Sequence, residues 1–302
     1  MIERKPSKHK TIRIPKQTRV TIFAVLFIVI VAFGSVAQNR FLFSPNTLRV
    51  WFFDIGQGDG MMIETPSGKQ ILVDAGPDAS ILTKLGGVLW PWDRTIDAIV
   101  LTHPDADHVT GFISVLKRYR VGHVYETGVI ANTLIGAEIE KAIREEHVPV
   151  TMVRAGDLIP DTHVKLETLW PSNEAVVHAK NDRNNSSIVI RLTYGDTTAL
   201  LTGDAEEPSE KQFYLRVGPI DVLKVGHHGS ATATSQNLLD VIRPQIAIIS
   251  AGVQNKYGHP HPLILDRLIK IHSRIFRTDT QGDILMTSDG GEPIVRAHPL
   301  LF

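Results

Sequence analysis

The sequence predicts an α/β protein in which two mixed β-sheets lie face to face between outer layers of helices, an αββα four-layer sandwich. Three observations predict it. Strand-like hairpins come first, strands then alternate with helices, and hairpins return at the end. Residues 96–102 (IDAIVLT) form a short apolar run of the kind buried on both faces of a sheet. Most of the clustered His and Asp residues fall at the C-terminal ends of expected strands, where α/β sites accumulate.

The first forty residues read as an address rather than as fold. Residues 1–19 carry seven Lys or Arg against the single acid Glu3. An uncharged run, VTIFAVLFIVIVAFGSVA, follows over 20–37. About 20 apolar residues cross a bilayer core, so a transmembrane anchor is expected, with the basic tail cytoplasmic and the remainder outside the cytoplasm. The small residues of Ser35-Val36-Ala37 also suit cleavage of a signal peptide, which would leave a secreted protein. The remainder, 47–302, is expected to be one domain.

Its elements follow in order. Residues 48–54 (LRVWFFD) alternate and are rich in β-formers; Gly56-Gln57-Gly58-Asp59-Gly60 is a turn; 61–65 and 70–73 are strands joined by Pro66-Ser67-Gly68-Lys69. A helix is expected over 80–89, the buried strand over 96–102, an amphipathic helix over 111–120, a strand over 121–126 and a helix over 137–146. Further strands are expected at 164–169, 187–194, 197–202, 222–225 and 246–250, a helix at 263–272, and closing strands at 284–288 and 293–297.

Charge and composition exclude several classes. Lys plus Arg equal Asp plus Glu at 32 each, and removing the basic tail leaves the folded part net acidic, unlike a domain that grips long nucleic acid non-specifically. There is no cysteine, so disulfides, thiolate nucleophiles and Cys-ligated zinc are excluded. The cluster Lys117, Arg118, Arg120 reads as a solvated helix end.

The sharpest chemical signal is His103-Pro104-Asp105-Ala106-Asp107-His108, just past the buried strand. Side chains at i and i+2 can grip one ion while those at i+4 and i+5 turn toward a second. Two imidazoles and two carboxylates in six residues repel or desolvate one another unless a divalent cation neutralises them, and N and O ligands suit zinc, manganese or iron. A solvated turn is the competing reading. Three later segments favour metal: Leu201-Thr202-Gly203-Asp204, Lys224-Val225-Gly226-His227-His228-Gly229-Ser230, and Tyr257-Gly258-His259-Pro260-His261-Pro262.

Together these motifs resemble the metallo-β-lactamase superfamily and, within it, the hydrolase domain of ComEC-type DNA-uptake proteins. The resemblance runs from Leu48 to about Gly291. Phe53-Asp54-Ile55-Gly56-Gln57-Gly58-Asp59 is similar to that group's opening strand and turn, and Leu72-Val73-Asp74-Ala75-Gly76 to the first motif. The second motif is the 101–108 segment. Asn184-Asn185-Ser186-Ser187-Ile188-Val189 stands where most relatives supply a histidine, and Asp204 and His227-His228 fall in the fourth and fifth motifs. Ser250 to His261 is similar to the closing loop. Asp105 replaces the middle His of the broader HxHxDH pattern, which makes the site oxygen-rich and brings Mn²⁺ into competition with Zn²⁺. Larger ComEC-type proteins carry this domain behind a multi-helix channel; one apolar segment precedes it here, so no channel is expected.

The resemblance implies two divalent metal ions, Zn or Mn. His103, Asp105 and Asp204, with Asn185 as a further candidate, would hold one; Asp107, His108, Asp204 and His227 would hold the other. A shared activated water is then the nucleophile. His228 or His261 is the expected proton donor to the leaving group, and Lys224 or Ser230 the expected phosphate contact. Asp74 and His259 are expected behind the ligands, and Asp54 and Asp59 are read as turn-stabilising. The expected substrate is a phosphodiester, single-stranded DNA or a nucleotide. A lactonase or β-lactamase-type ester or amide hydrolase and a non-catalytic metal-stabilised binding module are the alternatives.

Overall fold

A computed structural model of the chain describes residues 17–18, 21–25, 27–28, 46–129, 133–179 and 182–298. The chain divides into two compact units, 1–43 and 44–302. In the first, the described residues are helical, Thr21 Oγ1 donates to the Gln17 carbonyl at 3.1 Å, and Phe23, Phe27 and Ile28 are exposed. Most of the expected basic tail and of the anchor or signal segment lies outside the described residues. Among those described, no helix is long and apolar enough to cross a membrane.

In the second unit, one sheet runs edge to edge through β17 (Ile294–Ala297), β16 (Ile284–Ser288), β1 (Leu48–Phe52), β2 (Gly60–Glu64), β3 (Gln70–Ala75), β5 (Ala98–Val100), β7 (Val124–Glu126) and β8 (Val150–Met152). It is antiparallel from β17 to β3 and parallel from β3 to β8. The other runs through β15 (Arg274–Arg277), β14 (Ile246–Ile249), β13 (Val222–Lys224), β12 (Thr197–Leu201), β11 (Val189–Tyr194), β10 (Lys165–Trp170) and β9 (Leu158–Ile159). It is parallel from β15 to β12 and antiparallel beyond. β4 (Thr95–Ile96) and β6 (Arg120–Val121) form a separate parallel pair.

Side-chain alternation packs these sheets together. Leu48, Val50 and Phe52 of β1, Ile71 and Val73 of β3, and Ala98 and Val100 of β5 meet Leu166, Ile190, Leu192, Ala199, Leu201, Val222 and Ile248 of the other sheet in one buried cluster. The intervening residues Leu200, Leu223, Ala247 and Ile249 face outward, onto Phe213, Leu238, Leu239, Ile242, Ile264 and Leu268 of the helices Glu207–Phe213, Gln236–Ile242 and Pro262–Lys270. On the outer side of the first sheet, helix Ala106–Arg118 lies so close to β3 that a Cβ at Gly111 would come 2.0 Å from the Ala75 carbonyl oxygen. The mixed-sheet sandwich between helices is thus the architecture of the second unit.

Two differences from the sequence reading affect the site. The helix expected from residue 111 begins at Ala106, so Asp107 and His108 occupy its first turn instead of a loop. The expected strand 96–102 is two pieces, β4 and β5, which ends regular structure at Val100 and leaves Leu101-Thr102-His103 as a lead-out. Shorter elements, among them β8, β9, β15 and the helices 173–178, 207–213 and 236–242, carry too little periodic signal to be anticipated.

Candidate metal centre

Five chain segments deliver acidic and imidazole groups to one end of the sandwich. β3 ends at Asp74, whose backbone enters the left-handed region at φ 55°. Its carboxylate accepts from the Thr102 amide at 3.0 Å and hydroxyl at 2.7 Å, and sits 2.8 Å from His108 Nδ1. One buried side chain therefore ties the exits of β3 and β5 to the start of the 106–118 helix.

The hydroxyl of Thr102 gives its proton to Asp74, so it accepts from Nδ1 of His103 at 3.1 Å. His228 Nδ1 donates to the Ser250 carbonyl at 3.1 Å, and His227 Nδ1 lies 2.9 Å from Glu206 Oε1. All four imidazoles are thus held through Nδ1 by a carboxylate, carbonyl or hydroxyl. That leaves Nε2 of His103, His108 and His228 free for the centre, the arrangement that orients metal-binding histidines, while Nε2 of His227 has Asn184 Nδ2 at 3.4 Å.

The Nε2 atoms converge on Asp204. Its Oδ2 is 3.2 Å from His108 Nε2, 3.5 Å from His228 Nε2, 3.7 Å from His227 Nε2 and 3.9 Å from His103 Nε2. Asp107 Oδ2 lies 3.4 Å from His228 Nε2, and Asp105 Oδ2 lies 3.9 Å from His103 Nε2. Nε2 of His103, His108 and His228 and Oδ1 of Asp204 are buried without a hydrogen-bond partner. Orphaned buried polar atoms are costly, and four of them gathered around one point fit a divalent cation. Asp59, His108, Asp204 and His228 could all offer ligand atoms within 4.8 Å of one another. Asp59, however, faces the Nδ1 side of His228 at 3.4 Å and its other oxygen is on Lys224, so it stands behind that ring rather than at the ion.

Electrostatics agree with a cation site. Burial opposes charge on His108, but Asp204 and Asp74 outweigh it and hold the ring protonated well above the usual imidazole range. Burial likewise opposes charge on His228, and Asp204, Asp107 and Asp59 push it up to about 9. His103 goes the other way, lowered by burial and by neighbouring His108. Burial raises Asp204, yet His108 and His228 bring it well below the carboxylate range. These imidazolium protons occupy the place where a metal would supply the positive charge.

The backbone is shaped for this convergence. His227 and His228 both have positive φ, 47° and 55°, which turns two consecutive rings inward from the end of β13. At Gly229 a Cβ would approach Pro260 Cβ to 2.7 Å. At Gly58 a Cβ would reach 2.1 Å from the Asp107 carbonyl oxygen, to which the Asp59 amide also donates at 3.3 Å.

Several expected site residues are placed elsewhere. Lys224 is fully buried, with Nζ on Asp59 at 2.8 Å and on the Val225 carbonyl at 3.0 Å, so it cannot meet a substrate phosphate. Asn185 accepts from the amides of Glu206 and Ser209 and donates to Asp182, which fixes the start of the 207–213 helix instead of reaching His103. His261 caps the 262–270 helix, its Nδ1 accepting from the Leu263 amide at 3.2 Å. Ser230 pairs with the Thr232 hydroxyl at 2.9 Å. His259 is half-buried with its ring 5.8 Å from that of His227. Asp59, read as a turn residue, is fully buried beside His228. Arg183 and Glu206 carried no signal in the sequence, yet Arg183 Nε lies 2.5 Å from Asp105 Oδ1 and Glu206 Oε1 2.9 Å from His227 Nδ1; in the third-motif segment it is Asn184, with Nδ2 3.4 Å from His227 Nε2, that reaches the cluster.

This fold and this cluster define a metal-site α/β sandwich, and the chain belongs to the metallo-β-lactamase superfamily, whose family model matches residues 54–253. It is similar to ComE operon protein 3 of Bacillus subtilis, 34% identical over 251 residues that make up 76% of this chain and 32% of that protein. It is also similar to Recombination protein 2 of Haemophilus influenzae, 32% identical over 276 residues, 89% of this chain and 32% of that one. The chain spans about a third of the length of these curated relatives. Among solved structures, CmlA, a diiron β-hydroxylase from Streptomyces venezuelae, matches with TM-score 0.52 at 14% identity over 84% of this chain and 55% of that one. The metallo-β-lactamase fold protein YhfI from Bacillus subtilis matches with TM-score 0.51 at 14% identity over 76% and 95%. Both share the fold.

Proposed function

We propose that the chain is a metal-dependent phosphodiesterase acting on single-stranded DNA or a nucleotide phosphodiester, outside the cytoplasm. The observation that carries this reading is the buried, partnerless set of His103, His108 and His228 Nε2 and Asp204 Oδ1, flanked by the carboxylates of Asp105 and Asp107. In this reading His108, His228 and Asp107 would hold one ion and His103, Asp105 and His227 the other, with Asp204 between them; Asp107 lies 3.4 Å from His228, Asp105 lies 3.9 Å from His103, and all four imidazole Nε2 atoms lie within 3.9 Å of Asp204 Oδ2. His228, expected as a proton donor, thus joins His227 among the proposed ligands. Divalent ions held there would lower the pKa of a water toward neutrality and neutralise charge growing on phosphoryl oxygens.

The chain's own groups orient and hold protons. Asp74, Thr102, Ser250 and Glu206 fix the ring tautomers through Nδ1. Arg183 fixes one oxygen of Asp105 and leaves the other to the centre. A donor set of four imidazoles and three carboxylates suits Zn²⁺ and Mn²⁺ alike, and the cations it holds would attract a charged phosphodiester. The relatives' names, a recombination protein among them, agree with a nucleic-acid substrate. The placement outside the cytoplasm rests on the basic tail and the apolar run over 20–37.

Metal analysis of the purified chain, with a Mn²⁺ and Zn²⁺ screen on bis-p-nitrophenyl phosphate and single-stranded DNA, tests the reading. Two bound ions and phosphodiester cleavage are expected. Turnover of nitrocefin or lactones alone would instead make it a C–N or C–O hydrolase, and normal melting after chelation with no turnover would make it a binding module.

A further inference from the structure

Residues 252–259 form a rigid arm beside His227. Asn255 locks it from within: Nδ2 donates to the carbonyls of Gly252 at 2.9 Å and His259 at 2.6 Å, while Oδ1 accepts from the amides of Tyr257 at 3.2 Å and His259 at 3.0 Å. Its base is anchored where Gly252 donates to Gln57 Oε1 at 3.1 Å, and its far end where the His261 amide donates to the Gly229 carbonyl at 2.9 Å. This arm holds an aromatic outward. Tyr257 is 57% exposed, its ring stacked on His259 with centroids 5.7 Å apart and planes 23° from parallel. His259 in turn meets the edge of His227 at 5.8 Å, and the Lys256 ammonium lies 5.0 Å from the Tyr257 centroid.

An exposed ring held by backbone clamps, with the end of a long lysine side chain over it and one imidazole between it and the metal centre, has the chemistry that binds a nucleobase next to its phosphate. We propose that Tyr257, with Lys256 beside it, is a stacking platform for a nucleobase of the strand whose phosphodiester lies at the metal centre. The proposal rests on the phosphodiesterase reading for the scissile group, and it adds what the chain recognises besides phosphate. Because every base has a π-face, the platform selects base-bearing single strands without reading their sequence.

The test measures equilibrium binding of a fluorescein-labelled thymidine oligonucleotide and of a base-free tetrahydrofuran phosphodiester strand of equal length to the full chain in detergent with EDTA, then cleavage of both with Mn²⁺. Tighter binding of the base-bearing strand is expected, by roughly five- to hundredfold for one stacked base. Tyr257→Ala should erase the preference, Tyr257→Phe and Tyr257→Trp should keep it, and Lys256→Gln should weaken both strands alike and flatten the salt dependence. Thymidine monophosphate competing as well as the strand would assign the same stacking chemistry to free nucleotides. Equal binding of the two strands, or a Tyr257→Ala chain that keeps the preference, overturns the platform even if both strands are cleaved. A base preference without cleavage under any divalent ion sinks the phosphodiesterase reading and leaves the platform standing.

Discussion

Lys224 Nζ lies 2.8 Å from Asp59 Oδ2 with neither side chain exposed to solvent, a charge pair closed between the two sheets. Strand parity puts it there: Val222 faces the inter-sheet core, Leu223 faces the outer helices, and Lys224 faces the core again. Burial disfavours the Asp59 carboxylate, but Lys224 and His228 hold it below the usual range. Removing one partner strands a buried charge, so Lys224→Met should destabilise the folded chain by about 3–5 kcal/mol. The Asp59→Leu/Lys224→Met pair should recover part of that loss. Urea unfolding of both variants measures it, and a single variant as stable as the parent would refute the pairing.

Asp74 acts on the centre from behind His108. Asp74→Asn keeps the size but places an amide where Thr102 Oγ1 and His108 Nδ1 both need an acceptor. Metal affinity should fall about 10–100-fold, the usual effect of losing the group that orients a ligand imidazole. Competition with a coloured chelator reads this directly, and an unchanged affinity would mean that His108 is oriented by something else.

How far the site was legible follows from where its signals lie. His103 to His108, Asp204 and the His227-His228 pair stand at strand ends flanked by apolar runs, and the periodic pattern alone marks those ends. That two adjacent histidines both turn inward depends on φ values of 47° and 55°, which no periodicity encodes. Asp59 sits among glycines, so local chemistry reads it as a turn; only the inward parity of Lys224 signals that a buried counter-charge is required. Asn185 illustrates the opposite error, since the hydrogen bonds that draw it onto the 207–213 helix come from residues over twenty positions away.

Gly58 has φ 139° and a backbone contact that leaves no room for a side chain. Gly58→Ala would drive its Cβ into the Asp107 carbonyl, and that carbonyl belongs to the helix turn that carries Asp107 and His108. The variant should lose about 1–3 kcal/mol of stability and bind metal more weakly. Gly68→Ala, also at positive φ but with open space around it, should show the strain alone without the metal defect. Equal metal affinity in the two variants would separate the turn from the site.

Metal-free and metal-loaded chains should respond to pH in opposite directions. Against burial, Asp204 and Asp107 raise His228 to about 9 from 6.5, and a raised pKa contributes stability that is complete below 6.5 and lost as pH rises through 9. His108 shifts the same way, while Asp204, lowered, stays ionised throughout that window and adds no slope. The chelated protein should therefore weaken between pH 6.5 and 9. Metal replaces those protons, so its affinity should rise over the same range with proton release on binding. Calorimetry in buffers of different ionisation enthalpy counts the protons, and binding without release would contradict the assignment of these rings as ligands.

His227 and His228 offer the sharpest comparison because they are neighbours with different surroundings. His228 is buried, and its Nε2 lies within 3.5 Å of carboxylate oxygens from both Asp107 and Asp204. His227 is 24% exposed in its side chain, 3.7 Å from Asp204, and shared with Glu206 and Asn184. A ligand bracketed by two anions in a dry pocket holds a cation more firmly than one at the rim. His228→Ala should therefore cost more than the roughly 100-fold upper range seen when only a supporting partner is lost. His227→Ala should cost less and leave more of the bound metal in place. Ion content after dialysis separates the two, and a His227→Ala chain emptier than His228→Ala would overturn this ranking of the two rings.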